Sequence, residues 1–359
     1  MSVVATTPIK DSLLDSKPYV EHHPTFGYAY IPNVKMELPR PGGGRYRMVT
    51  NSQGIRSDRE YAFQKPPGVK RIIICGDSMA AGQFTSNDQR FSELLERRVP
   101  GLEVLNLALE GTGTDQQLLI YENVGSLYEH DAVVVMPFLQ NIRRNMVEAR
   151  VSIDPKTLAK VLAPKPRFEL KNGQLELLNV PVSKERKAVV EGDQSTLNGT
   201  DSELTASRKI KNKLNGLPGI GLAKKVLYQA NPWEPFPEYK SAGTKEWQLM
   251  EAILKRFKTA AGARSLVIVP IFYDSYVRYR MARNYWTRFS ELEAIPGVHV
   301  WDLLPHFRQL GPEASRCFLE PYDAHFSAYG HLVVTEFLEQ KLKEAGLVPA
   351  NRAGSPRRI

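Results

Sequence analysis

Apolar positions along the chain change their period near residue 70. From Arg71 onward, short unbroken apolar runs alternate with segments whose apolar residues recur at helical spacing. The runs RIIIC (71–75), LEVLNLAL (102–109), DAVVVMPF (131–138), SLVIVPIF (265–272) and VHVWDLL (298–304) predict five strands. Helices are predicted over 88–99, 114–128, 245–262 and 327–346. Thr114 or Asp115 is the expected N-cap of the second helix, and Gly262 the stop of the third. Strands alternating with helices imply a mainly parallel sheet covered on both faces, a three-layer α/β/α domain.

Upstream, residues 1–69 show short alternating pieces rich in turn residues, so they read as an extension packed on the main body. QKPPGVK (64–70) links them to the first strand. The main domain then spans 70–347 and is interrupted by an insertion at about 146–243. Within the insertion, RFELKNGQLELLNVPV (167–182) predicts a hairpin: Phe168, Leu170, Leu175 and Leu177 alternate with polar residues around Asn172-Gly173. Both central residues of a type I′ turn need positive φ, which that pair supplies. Residues 183–204 are polar and predict a mobile loop. Residues 348–359 predict a disordered basic tail.

Charge and composition then narrow the function. The formal net charge is +9, concentrated partly in the tail and partly around 207–225. No helix-turn-helix, RRM or zinc-finger pattern accompanies it, so a solvated basic face is expected and no nucleic-acid partner. An acidic polysaccharide or phosphorylated partner is the functional alternative. The two cysteines, Cys75 and Cys317, make no disulfide framework and no zinc spacing. His22 and His23 match no metal spacing either, so neither metal nor cofactor is expected. The longest apolar run, AVVVMPFL, is far short of the roughly 18 residues that span a bilayer. With no basic start and apolar run at the N-terminus, the expectation is a cytoplasmic chain without an integral membrane segment. Nothing in the pattern fixes an oligomeric state.

Ligand sites in parallel sheets form beyond the carboxyl ends of the strands. The first strand ends at Gly76-Asp77-Ser78, the second in NLALEGTGTDQQ near Gly111, the third at Gln140-Asn141. The turn before the last helix carries Asp323 and His325. A serine hydroxyl becomes a nucleophile when a base takes its proton, and His325 is the candidate base. Asp323 is the candidate to hold its tautomer. The N–H groups of Ser78 and Gly111 and a side-chain amide from Asn141 are the candidate oxyanion donors. Each feature alone also has a plain explanation: a strand-end turn, a loop glycine, a helix-starting asparagine. Arg56 in QGIRSD is a candidate for a substrate anion or for a surface salt bridge. Trp233, with Phe236 and Tyr239, is a candidate to stack on sugar rings or to pack the insertion. Asp302 is a rival strand-end acid, read as structural.

Taken together, these blocks resemble the SGNH (GDSL-type) hydrolase superfamily. The first block matches as Gly76-Asp77-Ser78, the second as LNLALEGTGTDQQLL with Gly111, and the last as Asp323-Ala324-His325 with one intervening residue. The third departs: Leu139-Gln140-Asn141-Ile142 stands where the family has Gly-x-Asn-Asp, and a shift of one would put Gln140 in the asparagine's place. The segment 51–60 and the hairpin also resemble a bacterial subgroup linked to polysaccharide modification. The resemblance implies an SGNH/flavodoxin-like fold and a serine esterase that removes acyl groups, O-acetyl first among them, from a carbohydrate or polysaccharide precursor. It also permits an O-acyltransferase using the same acyl-enzyme, or a degenerate member that binds glycan or protein.

Overall fold

The computed structural model describes residues 17–154, 157, 159–189 and 232–349. Residues 190–204 of the expected mobile loop, the basic stretch 207–225 and residues 350–359 of the expected tail lie outside the described residues.

The extension forms two antiparallel hairpins, β1 (Val20–His23) with β2 (Gly27–Tyr30) and β3 (Lys35–Pro39) with β4 (Arg45–Val49). Tyr19, Phe26, Tyr30, Tyr46 and Met48 from this region join the same buried apolar cluster as the strands that follow. The central sheet comprises β5 (Lys70–Gly76), β6 (Leu102–Asn106), β7 (Ala132–Met136), β13 (Ser265–Ile268) and β14 (Val298–Val300), in the spatial order β14-β13-β7-β5-β6 and parallel throughout. That is a flavodoxin-like order, and it reverses between β5 and β7, where a doubly wound sheet opens its ligand crevice. Six helices matter here: α1 (Ser78–Ala81), α2 (Phe91–Arg98), α3 (Thr114–Asn123), α4 (Asn141–Arg144), α5 (Lys245–Ala261) and α6 (Ala328–Glu344). On one face α2 packs with α6, on the other α3 packs with α5. The strands are apolar along their length because both faces are covered; Ile72, Ile73, Ile74 and Cys75 are fully buried.

Several local expectations shift: the fourth run is strand only over Ser265–Ile268, and the fifth only over Val298–Val300, with Leu303 and Leu304 entering a helix. The second strand stops at Asn106, short of residue 109. Asn106 Nδ2 donates to Ala80 O (2.9 Å) and Ser92 Oγ (3.0 Å), and its Oδ1 accepts from Ala108 N (3.1 Å), while Leu107 N and Leu109 N still bond to Ile74 O and Gly76 O. The N-cap of α3 is Gly113, not Thr114 or Asp115. Thr114 is already the first helical residue and its Oγ1 accepts from Asn141 Nδ2, while Asp115, one position further in, gives Oδ2 to Lys165 and accepts the Gln116 N–H with Oδ1 (2.8 Å).

Between α4 and α5, β8 (Ala149–Ile153), β9 (Lys160–Pro164) and β12 (Lys187–Ala188) form an antiparallel sheet. The hairpin of β10 (Arg167–Lys171) and β11 (Gln174–Leu178) closes through Asn172 (φ 50°) and Gly173 (φ 78°), the type I′ conformation. It docks on α5 by burying Phe168, whose ring lies 5.1 Å under the Arg256 guanidinium. The buried Asp115–Lys165 pair fastens this region to the start of α3, and Lys165 Nζ also donates to Arg144 O and Val147 O (both 3.2 Å).

Candidate active site

Gly76, Asp77 and Ser78 each have a distinct physical reason. A Cβ on Gly76 would lie 2.4 Å from the Ala80 Cβ, so only glycine lets α1 fold straight back over the strand end. Asp77 is the N-cap: its Oδ1 accepts from Met79 N at 3.0 Å. Its Oδ2 accepts from Arg144 Nη1 at 2.6 Å, an ion pair with both side chains buried. Ser78 is then the first helical residue, 7% exposed, standing at the sheet's reversal point.

The turn before α6 delivers the partners. His325 Nε2 lies 2.8 Å from Ser78 Oγ, and His325 Nδ1 is hydrogen-bonded to Asp323 Oδ1. Asp323 Oδ1 also accepts the His325 backbone N–H at 2.9 Å. A carboxylate can only accept, so Nδ1 carries the proton and Nε2 is left to take the serine's. The loop is tied by Leu319 N to His325 O (2.9 Å), Asp323 N to Leu319 O (3.1 Å) and Ser327 N to Cys317 O (2.9 Å). The structure thus brings Ser78, His325 and Asp323 into one relay across 247 residues of sequence separation.

Phe84 forms the wall behind the imidazole, edge-on at 5.4 Å and 83°. Its φ is +67°, a conformation that is strained for a bulky residue and costs on the order of 1–3 kcal/mol. Arg56 holds that loop in place. It is 1% exposed, and its guanidinium donates to Ala81 O (2.8 Å), Gly82 O (3.0 Å), Asn87 Oδ1 (3.1 Å) and Thr85 O. Arg56 is therefore neither a substrate contact nor a surface salt bridge. It is a buried clamp on the loop that carries Phe84.

Gly111 sits on a loop anchored to the nucleophile's strand. Leu109 N and Thr112 Oγ1 both donate to Gly76 O, at 3.1 and 3.3 Å. Gly111 has φ +85°, which favours glycine, and no hydrogen bond of its N–H is found among the described residues. At the third station the two amides differ. Asn141 is fully buried: Nδ2 donates one N–H to Thr114 Oγ1 (3.4 Å), and Oδ1 accepts from Arg144 Nη1 (3.1 Å). Gln140 has its Oε1 bound by Tyr273 OH (2.6 Å) and Arg144 Nη2 (3.4 Å), which leaves Nε2 as the free end of that amide among the described residues. Both amides thus keep an N–H to offer, and Gln140 is the one whose oxygen is held from two sides, by Tyr273 and Arg144.

Trp233 is 44% exposed and lies beside Met281, with its carbonyl accepting from Ala282 N at 3.0 Å. Phe236 and Tyr239 of the same segment are buried, and Tyr239 OH donates to Leu139 O (2.9 Å) behind the third station. Asp302 caps the helix Leu303–Gln309 and pairs with Arg283, so the rival acid is structural. Sequence reasoning missed Arg144, Tyr28 and Tyr273. Arg144 follows Gln140 by one helical turn, a spacing that signals contact; the tyrosines carry no local signal.

No protein-family model matches the chain, and no curated protein does. Among solved structures it is similar to a lipase/acylhydrolase from Enterococcus faecalis (14% identity, 79% of this chain and 100% of that one, TM-score 0.40). It is also similar to a member of the lipolytic protein G-D-S-L family from Veillonella parvula (9% identity, 77% and 99%, TM-score 0.40). A psychrotrophic esterase from Pseudoalteromonas sp. aligns at 12% identity over 77% and 98% of the two chains, TM-score 0.39.

Proposed function

We propose that the chain is a serine esterase of the SGNH type, working through an acyl-enzyme. The observation that carries this is the relay Ser78 Oγ–His325 Nε2 (2.8 Å) with Asp323 on Nδ1. Ser78 Oγ attacks the ester carbonyl carbon as its proton passes to His325 Nε2, and the carbonyl π pair moves onto oxygen. The N–H groups of Ser78 and Gly111 and the Gln140 amide stabilise that oxyanion. Ser78 is the first residue of α1, where a helical N–H has no intrahelical acceptor. Collapse expels the alcohol, which takes the proton from His325. Water then gives a proton to Nε2 as it attacks the acyl carbon, and collapse breaks the acyl–Oγ bond, with Ser78 Oγ taking the proton back from Nε2 as the carboxylic acid leaves.

The acyl carrier we assign is an acetylated carbohydrate. Its support is two exposed aromatic faces, Trp233 at 44% and Tyr322 at 65%, the latter directly preceding Asp323. The test is intact mass after a fluorophosphonate probe, with acetate release from acetylated oligosaccharides measured in parallel. A single adduct lost in Ser78→Ala and His325→Ala is expected. A folded wild type that takes no adduct and releases no acetate overturns the esterase, and an adduct with no acetate release overturns the carbohydrate assignment alone.

A further inference from the structure

The two oxyanion donors that come from outside the nucleophile turn share a design. In each, the N–H belongs to an amide whose oxygen is bound by one tyrosine hydroxyl and one cation. For Gly111 the amide is the Glu110–Gly111 peptide. Its carbonyl accepts from Tyr28 OH at 2.7 Å and Lys17 Nζ at 3.0 Å. For Gln140 it is the side-chain amide, whose Oε1 accepts from Tyr273 OH at 2.6 Å and Arg144 Nη2 at 3.4 Å.

A trans peptide points its C=O and N–H in opposite directions. Fixing Glu110 O against Tyr28 and Lys17 therefore fixes the Gly111 N–H on the other side. A side-chain amide is planar in the same way, so fixing Oε1 fixes Nε2 and excludes the flipped rotamer. Binding the oxygen also does electronic work: hydrogen bonds in a chain polarise one another, and a cation on the carbonyl makes the N–H of that amide a stronger donor. Both donors are thereby aimed and strengthened before substrate arrives, which is what electrostatic preorganisation requires.

We propose that Tyr28 with Lys17, and Tyr273 with Arg144, are positioning residues that aim and polarise the Gly111 and Gln140 oxyanion donors. The inference rests on the esterase reading above. It gives the N-terminal extension a part in the chemistry, since Tyr28 and Lys17 both belong to it. It also explains how glutamine serves at the third station. Its extra methylene makes it floppier than asparagine, and two ligands on Oε1 remove that freedom. Burial pushes the Tyr28 phenol up to about 12, so it stays a neutral donor at working pH.

The experiment uses the full chain with Tyr28→Phe, Tyr273→Phe and the double variant. Readouts are kcat and KM on p-nitrophenyl acetate, the rate of fluorophosphonate labelling, and the urea midpoint. Removing a donor outright costs about 100- to 1,000-fold in kcat, so weakening one should cost roughly tenfold. Each single variant should lose that in kcat and in labelling rate with KM unchanged, and the double variant should lose the product of the two. Lys17→Met should repeat the Tyr28 effect and Lys17→Arg restore it, which covers the case where a tyrosine variant fails to fold. Variants that label and turn over within twofold of wild type overturn the inference while leaving the esterase intact. A loss that tracks the urea midpoint, or that Lys17→Arg does not rescue, overturns it as well. A wild type that never labels at Ser78 removes the esterase reading, and this inference with it.

Discussion

The nucleophile and its base are held by opposite means. Ser78 stands at the end of a buried interior strand of the sheet, on a turn fixed by a sealed ion pair, Asp77–Arg144, with side chains 0% and 3% exposed. His325 and Asp323 stand on a partly exposed loop, tied by a few backbone bonds and by Phe84 pressed against the imidazole. The first half is positioned by the core and the second by its own loop. Damage to the core half should therefore appear in stability and activity together, and damage to the loop half in activity alone.

The largest expected effect lies on the loop side. Asp323→Asn keeps the shape but lets the amide donate where a carboxylate can only accept, so His325 takes the wrong tautomer. The loss expected for such a change in a serine triad is about 10,000-fold in kcat. The urea midpoint should hardly move. A destabilisation above about 1 kcal/mol would mean that the loop is braced by the fold after all, and the contrast between the halves would collapse.

Next comes the core side. Arg144→Met leaves the buried Asp77 carboxylate uncompensated, a change that costs about 3–5 kcal/mol when one partner of a buried pair is removed. Activity should fall as well, because Asp77 caps the nucleophile helix and Arg144 holds Gln140. Denaturant unfolding with kcat on the same preparation checks this. A fully stable but inactive protein would place Arg144 with the loop half. Arg56→Met should cost a similar amount, about 3–5 kcal/mol, since it leaves the buried Glu110 carboxylate and the carbonyls of Ala81, Gly82 and Thr85 without their cation. Its kcat should drop through Phe84, which Arg56 holds against His325.

The same division explains what the sequence made legible. The parallel sheet could be read because strands covered on both faces are continuous apolar runs. Ser78, Gly111, Asp323 and His325 could be picked out because they lie at strand ends or in the turn before the last helix. The hairpin at Asn172-Gly173 could be read because its turn chemistry is local. What escaped was set by contacts between distant segments. Arg56 looked like a surface residue because nothing near it in sequence announces the carbonyls of the 81–85 loop. Gln140 and Asn141 are both amides, and the partners that separate them, Thr114 for one and Tyr273 with Arg144 for the other, are brought in only by the fold. The buried Asp115–Lys165 pair escaped for the same reason, since its partners lie 50 residues apart.

The smallest effect tests how tightly the core half is sealed. His331, on α6, is fully buried, and its Nδ1 accepts from Phe91 N at 3.4 Å. Burial, reinforced by the Arg90, Arg56 and His325 charges, depresses its pKa to about 3. The unfolded chain titrates this group near 6.5, so between those values the unfolded state holds a proton that the folded state lacks. Stability is complete above about pH 6.5 and falls as pH drops, by up to about 1.4 kcal/mol per unit. His331→Asn keeps an acceptor near the Nδ1 position and does not titrate. Between pH 6.5 and 5 the stability from urea unfolding should then fall by about 1.6 kcal/mol in wild type beyond whatever the variant loses. Parallel acid limbs in the two proteins would mean that His331 is protonated without cost. The imidazole would then be better solvated than its burial between α2 and α6 implies, and the core half less sealed than the Asp77–Arg144 pair requires.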